Sequence, residues 1–247
     1  MEQNSYGSLC TEMYELLHPE APPEELAFYL SYAKKGERIL EPLCGSGRFL
    51  VPFLERGLTV SGMDASAGML EKLRKKAPAA QVRQAALETY ETAERFDYIF
   101  ITSGSMSLFT DISACRQILL RLRELLRPDG VLVFAVDTVA ARCLDDAEYR
   151  AAVSVEAGAG RRLVLKTKNR YDPETQTQFS PGIYELYHQE KLLQTEEMDF
   201  RTHLYRFGEM EGYLDGAGFT RVRTYAAFDK TPAQDDRTEQ LLYECRL

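Results

Sequence analysis

An apolar segment that runs into a closely spaced pair of glycines constrains the fold of this chain more than any other feature. Residues 39–50 read Ile-Leu-Glu-Pro-Leu-Cys-Gly-Ser-Gly-Arg-Phe-Leu, and an amphipathic stretch then continues to Gly57. Apolar residues that end in a carboxylate and a glycine turn are typical of a buried parallel strand followed by a helix. The free N–H groups at the start of such a helix face a ligand. The segment therefore predicts a strand, a turn and a helix, with a binding site at the turn.

The chain around this segment alternates between helix and strand patterns as far as Asp137. Strands are predicted at 38–41, 58–63, 80–85, 96–101 and 131–136, with a turn at 128–130. Helices are predicted at 6–17, 24–35, 47–56, 66–76 and 112–126, and Ser66 and Asp111 are the expected N-caps of the last two. Such alternation indicates a parallel, doubly wound α/β sheet.

The pattern changes after Asp137. Residues 162–171, 183–188 and 192–204 alternate like the strands of a small antiparallel meander, and a helix at 207–217 and strands at 219–228 and 239–246 follow. We therefore expect a single domain over 1–247, with an N-terminal helical lid at 1–36 and an antiparallel insertion at 150–204 that covers the substrate. A chain of 247 residues is long enough to bury the core of such a domain.

Composition argues against several classes of protein. The net charge of −8 disfavours nucleic acid as a partner, because phosphate binding calls for a basic face. No apolar run approaches the roughly 18 residues of a membrane helix, and the N-terminus lacks the pattern of a signal peptide. We therefore expect a cytoplasmic protein without a membrane partner. The five cysteines are far apart and do not cluster with histidine, so neither a zinc site nor a disulfide framework is predicted.

Two glycines and two acids predict the kind of ligand. Gly45 and Gly47 let the backbone approach a ligand closely. Glu41 ends the first strand, and Asp64 ends its neighbour, where a carboxylate can accept both hydroxyls of a ribose. These residues leave NAD, FAD and S-adenosylmethionine (SAM) open. Leu50 stands where the dinucleotide fingerprint has its third glycine, which weakens that interpretation, and no Gly-Lys-Ser/Thr of a nucleotide-hydrolysing P-loop follows.

Five segments, in order, resemble the motifs of the class I SAM-dependent methyltransferases. They are 41–47 (EPLCGSG), 61–66 (SGMDAS), 96–105 (FDYIFITSGS), 125–132 (LLRPDGVL) and 212–219 (GYLDGAGF). The resemblance covers nearly all of the chain and is closest in type to small-molecule enzymes, the glycine-type and amino-sugar N-methyltransferases. It implies a Rossmann-like doubly wound sheet of seven strands with the last one antiparallel, helices on both faces, and a small antiparallel β insertion after strand five.

The resemblance also implies SAM as the cofactor, S-adenosylhomocysteine (SAH) as the product, and roles for particular residues. Gly45 and Gly47 would admit the methionine part of SAM, and Glu41 would orient the turn or bind the amino group. Asp64 would bind the ribose hydroxyls. The acid that many relatives use for adenine is absent before Glu88. The remaining cofactor-binding candidates are Ala65, Met69, Ala86 and Leu87 around the adenine, and Thr102 and Ser103 near the methionine or the substrate.

The sequence defines the methyl acceptor less well. Methyl transfer from a sulfonium is an in-line displacement whose leaving group needs no acid, so the enzyme mainly aligns and desolvates the reactants. Residues 103–106 (SGSM) replace the Asn-Pro-Pro-Tyr type of tetrad that clamps a nucleobase or amide nitrogen. This favours a small-molecule acceptor, with an amine preferred to a hydroxyl or a carboxylate.

Tyr14 and His203 are the candidate catalytic residues, with plain packing as the alternative explanation of each. Further candidates around the acceptor are Tyr6, Asp137, Tyr184, Tyr187 and Tyr205. The sequence does not identify a catalytic residue, so a SAM-binding subunit without catalysis is an alternative. An NAD-dependent oxidoreductase is a more distant alternative. No cluster of acids follows the fourth strand, so no metal is predicted. We expect a monomer or a homodimer.

Overall fold

The computed structural model of the protein describes residues 4–247, which separate into two compact units. One unit comprises the chain up to Glu20 together with Arg142–His203, and the other comprises Ala21–Ala141 together with Leu204–Leu247. Among residues 4–247, no helix combines the length and the apolar character needed to cross a membrane.

Six α-helices and fourteen strands make up the described chain. The helices are α1 (Ser8–Leu17), α2 (Pro23–Leu30), α3 (Leu50–Glu55), α4 (Ala67–Lys76), α5 (Ile112–Leu125) and α6 (Glu209–Gly216). The first five strands are β1 (Arg38–Pro42), β2 (Thr59–Asp64), β3 (Gln81–Gln84), β4 (Phe96–Ile101) and β5 (Leu126–Asp137). The later strands are β6 (Arg150–Glu156), β7 (Arg161–Thr167), β8 (Arg170–Asp172), β9 (Thr177–Phe179), β10 (Gly182–His188), β11 (Lys191–Met198), β12 (Arg201–His203), β13 (Arg221–Tyr225) and β14 (Gln240–Arg246).

The larger unit contains a seven-stranded sheet in the order β13-β14-β5-β4-β1-β2-β3. Strands β1 to β5 pair in parallel, whereas β14 runs antiparallel to both β5 and β13. Alternate residues of the central strands point to opposite faces. Leu40 packs in one apolar cluster with residues of α5 and α6, and Ile39 packs in a second cluster with residues of α2, α3 and α4. The predicted fold class is therefore confirmed, including the antiparallel last strand.

The two predicted N-caps are present. Asp111 accepts hydrogen bonds at Oδ1 from the N–H groups of Ser113 (2.8 Å) and Ala114 (3.3 Å), and Ser66 Oγ accepts one from Met69 (3.3 Å). Each cap satisfies N–H groups that have no partner within the helix. The caps fix where α4 and α5 begin, and thereby which of their apolar residues face the sheet.

The helix predicted at 47–56 is shorter than expected and spans Leu50–Glu55. Gly47 has a φ of +83°, which is outside the helical region, so the turn extends further than the pattern indicated. Pro52 consequently lies in the first helical turn, where its missing N–H costs no hydrogen bond. Residues 128–130, predicted as a turn, lie within the long strand β5.

The smaller unit contains a four-stranded antiparallel sheet, β11-β10-β7-β6, and a three-stranded sheet, β12-β9-β8. Helix α1 packs Leu9, Cys10 and Met13 against apolar residues of the larger of these sheets. The carboxylate of Glu196 on β11 accepts hydrogen bonds from the N–H groups of Leu9 and Cys10, both at 2.9 Å. This carboxylate stabilises the start of α1 through two otherwise unpaired donors.

Two predicted boundaries differ from those in the structure. The 1–36 segment, predicted as one lid, divides after Glu20, and Phe28, Tyr29 and Tyr32 at its end pack in the core of the larger unit. The three strands predicted within 150–204 are seven strands in two sheets. Strands β6 and β9 were not predicted, the strand expected at 162–171 divides into β7 and β8, and the strand expected at 192–204 divides into β11 and β12. That these residues cover a substrate, within a single domain, stays a prediction.

We predict that Gly62→Ala destabilises the protein. Gly62 lies on β2, and a Cβ there would sit 2.5 Å from Leu50 Cδ1 and 2.8 Å from Cys44 Sγ. Because both neighbours are buried, the added methyl group should lower the free energy of unfolding by about 1–3 kcal/mol in urea denaturation. Gly212→Ala on α6, where a Cβ would meet nothing within 4 Å, is the control and should be neutral or slightly stabilising. A Gly62→Ala variant as stable as the wild type would contradict this packing.

Candidate functional site

The turn after β1 contains several residues with positive φ, a backbone conformation that favours glycine. Gly45 and Gly47 have φ values of +51° and +83°, and the neighbouring Leu43 has +57°. A Cβ on Gly47 would lie 2.8 Å from the side chain of Leu73, whereas one on Gly45 would meet nothing within 4 Å. Gly47 is therefore required for packing and Gly45 for the shape of an open surface. The two predicted glycines thus have different physical roles.

Asp64, the last residue of β2, fastens this turn to the neighbouring strand. Its Oδ2 accepts a hydrogen bond from the N–H of Gly45, and its Oδ1 accepts one from the N–H of Ser66, both at 2.8 Å. Burial raises the pKa of Asp64, while these two amide donors act in the opposite direction. Each carboxylate oxygen keeps a second acceptor position. The structure therefore brings together the two residues predicted to contact a ribose and a methionine moiety.

Glu41 on β1 is a buried carboxyl group with an unsatisfied oxygen. Its side chain is 2% exposed, and Oε2 has no hydrogen-bond partner among residues 4–247. Burial raises the pKa of Glu41 well above its usual value, and the negative charges of Asp64 and Glu25 raise it further. A buried polar atom without a partner is rare in native proteins and indicates a ligand, a water molecule or a functional role.

Glu25 on α2 belongs to the same site, and the sequence did not reveal it. The side chain is 7% exposed, and its Oε1 accepts a hydrogen bond of 3.0 Å from the N–H of Ser103. Burial raises the pKa of Glu25, and the amide of Ser103 and the charge of Arg48 oppose this. Acids are common in the first turn of a helix because their negative charge interacts favourably with the positive end of the helix dipole. The sequence pattern therefore did not distinguish Glu25 from an ordinary acid at a helix start.

The loop after β4 supplies the two other predicted residues near the methionine end. Thr102 is 8% exposed, and Ser103 is exposed with a φ of +56°. Next to them, Gly104 has a φ of +66° and lies directly against the carboxylate of Asp137 at the end of β5. The loop therefore connects the acid on α2 to the acid on β5.

Three of the four residues predicted around the adenine closely follow β2 and β3, and Met69 lies in the first turn of α4. Ala65 is exposed, and its carbonyl accepts a hydrogen bond of 3.2 Å from Gln84 Nε2. The side chains of Met69 and Leu87 are buried, at 3% and 0% exposure, and Ala86 is half-buried. Leu87 packs in the core, so only its main chain remains for a ligand. The roles of these four residues stay predictions.

The two candidate catalytic residues, Tyr14 and His203, lie in the smaller unit. The ring of Tyr14 lies 4.9 Å from that of His18, and His203 is 2% exposed on β12, opposite Thr177. Their catalytic roles stay predictions. Tyr205, a candidate near the acceptor, is instead fully buried in the core of the larger unit, with its hydroxyl 3.4 Å from Cys115 Sγ. Across residues 4–247 no group of three or more metal-ligating side chains could hold a metal ion.

Comparison with known proteins agrees with this geometry. Residues 39–130, which run from β1 into β5, match the family described as a methyltransferase domain. A curated protein of Geobacillus sp. (strain WCH70), whose name assigns it to the methyltransferases without a substrate, is 33% identical over 133 residues, which are 50% of this chain and 54% of the relative. The dTDP-3-amino-3,6-dideoxy-alpha-D-glucopyranose N,N-dimethyltransferase of Streptomyces fradiae is 24% identical over 138 residues, 53% of this chain and 54% of that protein.

The chain spans about half the length of the curated relatives it matches. Among solved structures, SAM-bound CalS10, an amino pentose methyltransferase from Micromonospora echinaspora, superposes with a TM-score of 0.71 at 15% identity, covering 100% of both chains. At that identity the likeness shows the shared fold.

We predict that Glu41→Gln stabilises the folded chain at neutral and alkaline pH. An unfolded chain ionises this carboxyl near its ordinary pKa of 4.5, whereas the folded chain, in which the pKa is raised, retains the proton to higher pH. As the pH rises above that value, the folded wild type therefore loses stability relative to the unfolded state. A neutral amide removes this loss and should raise the free energy of unfolding by about 0.5–2 kcal/mol at pH 8, and by much less at pH 4.

Chemical denaturation at the two pH values measures this difference, and Glu88→Gln at an exposed position serves as the matched control. An equal effect of Glu41→Gln at both pH values would mean that the folded chain does not hold Glu41 protonated.

Proposed function

We propose that this chain, whose residues 39–130 belong to the class I SAM-dependent methyltransferase family, binds SAM at the carboxyl ends of β1, β2 and β4 and methylates a small-molecule amine. The observation that carries the proposal is the buried carboxyl of Glu41, whose unsatisfied Oε2 lies in the field of two further acids. Such a site favours a cationic ligand over a neutral or anionic one.

The charge of SAM matches these acids. SAM carries a sulfonium and an ammonium group against a single carboxylate, so it is a net cation. The negative charges of Asp64 and Glu25 each raise the pKa of Glu41. A cation among them would favour ionised Glu41, because an opposite charge within a few ångströms stabilises the charged form. SAM binding and the ionisation of Glu41 would then be coupled.

The same residues argue against a dinucleotide. The pyrophosphate of NAD or FAD is anionic and, unlike a cation, would not favour the ionised form of Glu41. Leu50 is fully buried, and its Cδ1 fills the space beside Gly62. A third glycine at this position would leave a cavity, so the packing of the turn depends on leucine.

The residues of the larger unit can orient the cofactor for displacement. When bound, SAM supplies the methyl group on a sulfonium, and the sulfur takes up the bonding electron pair as the acceptor attacks. Asp64 would hold the ribose hydroxyls with its remaining acceptor positions, and Glu41 Oε2 would accept an N–H of the methionine ammonium. With both ends of the cofactor fixed, alignment and exclusion of water supply the rate enhancement.

An amine is the preferred acceptor for two reasons. A neutral amine has a lone pair that can attack without removal of a proton from the nucleophilic atom, whereas a hydroxyl needs a base. The names of two similar proteins also specify amino sugars, an N,N-dimethyltransferase and an amino pentose methyltransferase. We extend this preference to the chain as part of the proposal.

Asp64→Ala should weaken the binding of SAM. Loss of the charge-assisted hydrogen bonds to the ribose and to Gly45 should cost about 1–3 kcal/mol of binding free energy, or roughly 5- to 150-fold in Kd by isothermal titration. Glu71→Gln removes one negative charge from an exposed position on α4 and is the matched control, with affinity expected to stay within about twofold. Unchanged affinity in a folded Asp64→Ala variant would refute the ribose assignment.

Turnover tests the acceptor class. The protein is incubated with SAM and matched pairs of amines and alcohols, for example dTDP-3-amino-3,6-dideoxyglucose and dTDP-6-deoxyglucose, and SAH formation is measured. We expect SAH with the amine of a pair and not with the alcohol. Tight SAM binding without turnover on amines, hydroxyls or carboxylates would instead favour a non-catalytic SAM-binding subunit.

A further inference from the structure

Asp137 ends β5 at the same edge of the sheet as the site described above. Strands β2, β1, β4 and β5 are consecutive neighbours, so at about 4.8 Å per strand Asp137 lies roughly 14 Å across the sheet from Asp64. The loop after β4 lies between them. The N–H of Asp137 donates a hydrogen bond of 2.8 Å to Ser107 Oγ in that loop, and a Cβ on Gly104 would collide with Asp137 Oδ1. Asp137 is thus held against the loop whose Ser103 contacts Glu25.

One oxygen of the Asp137 carboxylate accepts a hydrogen bond within the protein, and the other is available to accept one from a ligand. Oδ1 accepts a hydrogen bond of 3.0 Å from Gln240 Nε2 on the adjacent β14. Oδ2 accepts no hydrogen bond from residues 4–247, and the side chain is half-buried. The bond from Gln240 fixes the orientation of the carboxyl plane. A rigid carboxylate with one available oxygen can bind one donor from a ligand.

The surroundings of Asp137 bring its ionisation close to neutral pH. Burial and the nearby charge of Glu239 raise its pKa to about 6, against the opposing effect of the Gln240 hydrogen bond. Ser103, Gly104 and Ser107, from the loop packed against it, carry no charge. A carboxylate of this kind is ionised at pH 7 and can still take up a proton during a reaction.

We propose that Asp137 is a catalytic residue that binds the nitrogen of the acceptor amine, with its available oxygen accepting an N–H. The proposal rests on the proposed function and extends it by assigning the acceptor side of the site. The available oxygen would fix the direction of the nitrogen lone pair towards the methyl group, which is the alignment that in-line displacement requires.

The proton balance follows from this position. The acceptor binds as a neutral amine and donates one N–H to the Asp137 carboxylate, so its lone pair is free to face the methyl group. The nitrogen lone pair forms the new N–CH3 bond while the S–CH3 bond breaks. The electron pair of the broken S–CH3 bond remains on sulfur. The first product is an N-methylammonium ion, which gives the proton it shares with Asp137 to that carboxylate and leaves as a neutral N-methylamine, and Asp137 returns the proton to water. One proton is released overall for each methyl group transferred.

Sinefungin tests the assignment without knowledge of the natural acceptor. It resembles SAH but carries a protonated amino group near the place where the methyl group is transferred. Asp137→Asn keeps the side-chain shape and an oxygen to accept from Gln240, and it removes only the charge. By isothermal titration at pH 7, we expect this variant to lose about five- to tenfold in affinity for sinefungin, with SAH affinity unchanged within about twofold.

The pH dependence and the controls make the test specific. Wild-type preference for sinefungin over SAH should fall between pH 7 and pH 5, as Asp137 becomes protonated, and Asp137→Asn should show no such fall. Glu239→Gln removes an exposed charge beside the site and should keep the preference. If SAH binds but Asp137→Asn binds sinefungin as the wild type does, the Asp137 assignment is wrong and the proposed function stands. If the wild type binds neither ligand, the proposed function fails, and this assignment with it.

Discussion

The attachment of the turn after β1 to strand β2 is the constraint on which the site depends. Three contacts make this attachment: the N–H of Cys44 donates to the carbonyl of Met63 at 3.0 Å, the N–H of Gly45 donates to Asp64, and Leu50 fills the space beside Gly62. Because Gly62 has no side chain, the turn can lie directly on the strand. The same attachment sets the start of α3 and places Glu41 and Asp64 at one edge of the sheet.

Burial of the acids at that edge lowers the stability of the folded chain, but it also makes the site favourable for a cation. Glu41 is almost fully buried, and the pKa values of Glu25, Glu41 and Asp64 are all raised by desolvation. A protein selected for stability alone would place neutral groups here. The hydrogen bonds from Gly45, Ser66 and Ser103 recover part of the cost for two of the acids, and Glu41 Oε2 is left without a partner.

Local patterns were sufficient for the sheet but not for the whole site. The runs at 96–101 and 131–136, the caps Ser66 and Asp111, and Asp64 at a strand end each carry a signal within a few residues. Glu25 carries none, because its role depends on a contact with Ser103, 78 positions away in the chain. The start of α3 was misplaced for a related reason: the positive φ of Gly47 keeps it out of the helix, and its close approach to Leu73 is a tertiary contact that the spacing of apolar residues does not encode.

Glu41 on β1 and Asp137 on β5 each have a carboxyl oxygen available to a ligand, but their environments differ. The environment of Glu41 suits the binding of a cation, and that of Asp137 suits proton exchange. Glu41 Oε2 is buried without a hydrogen-bond partner among residues 4–247, so its carboxyl ionises readily only when a cation replaces the lost hydration. Asp137 is half-buried and is held by a single amide, and its pKa of about 6 allows it to exchange protons with water. A group that must retain its ligand benefits from the first environment, and a group that must release a proton after each turnover requires the second. The positions of the two strands, with β4 between them, keep these environments apart while both face the same edge of the sheet.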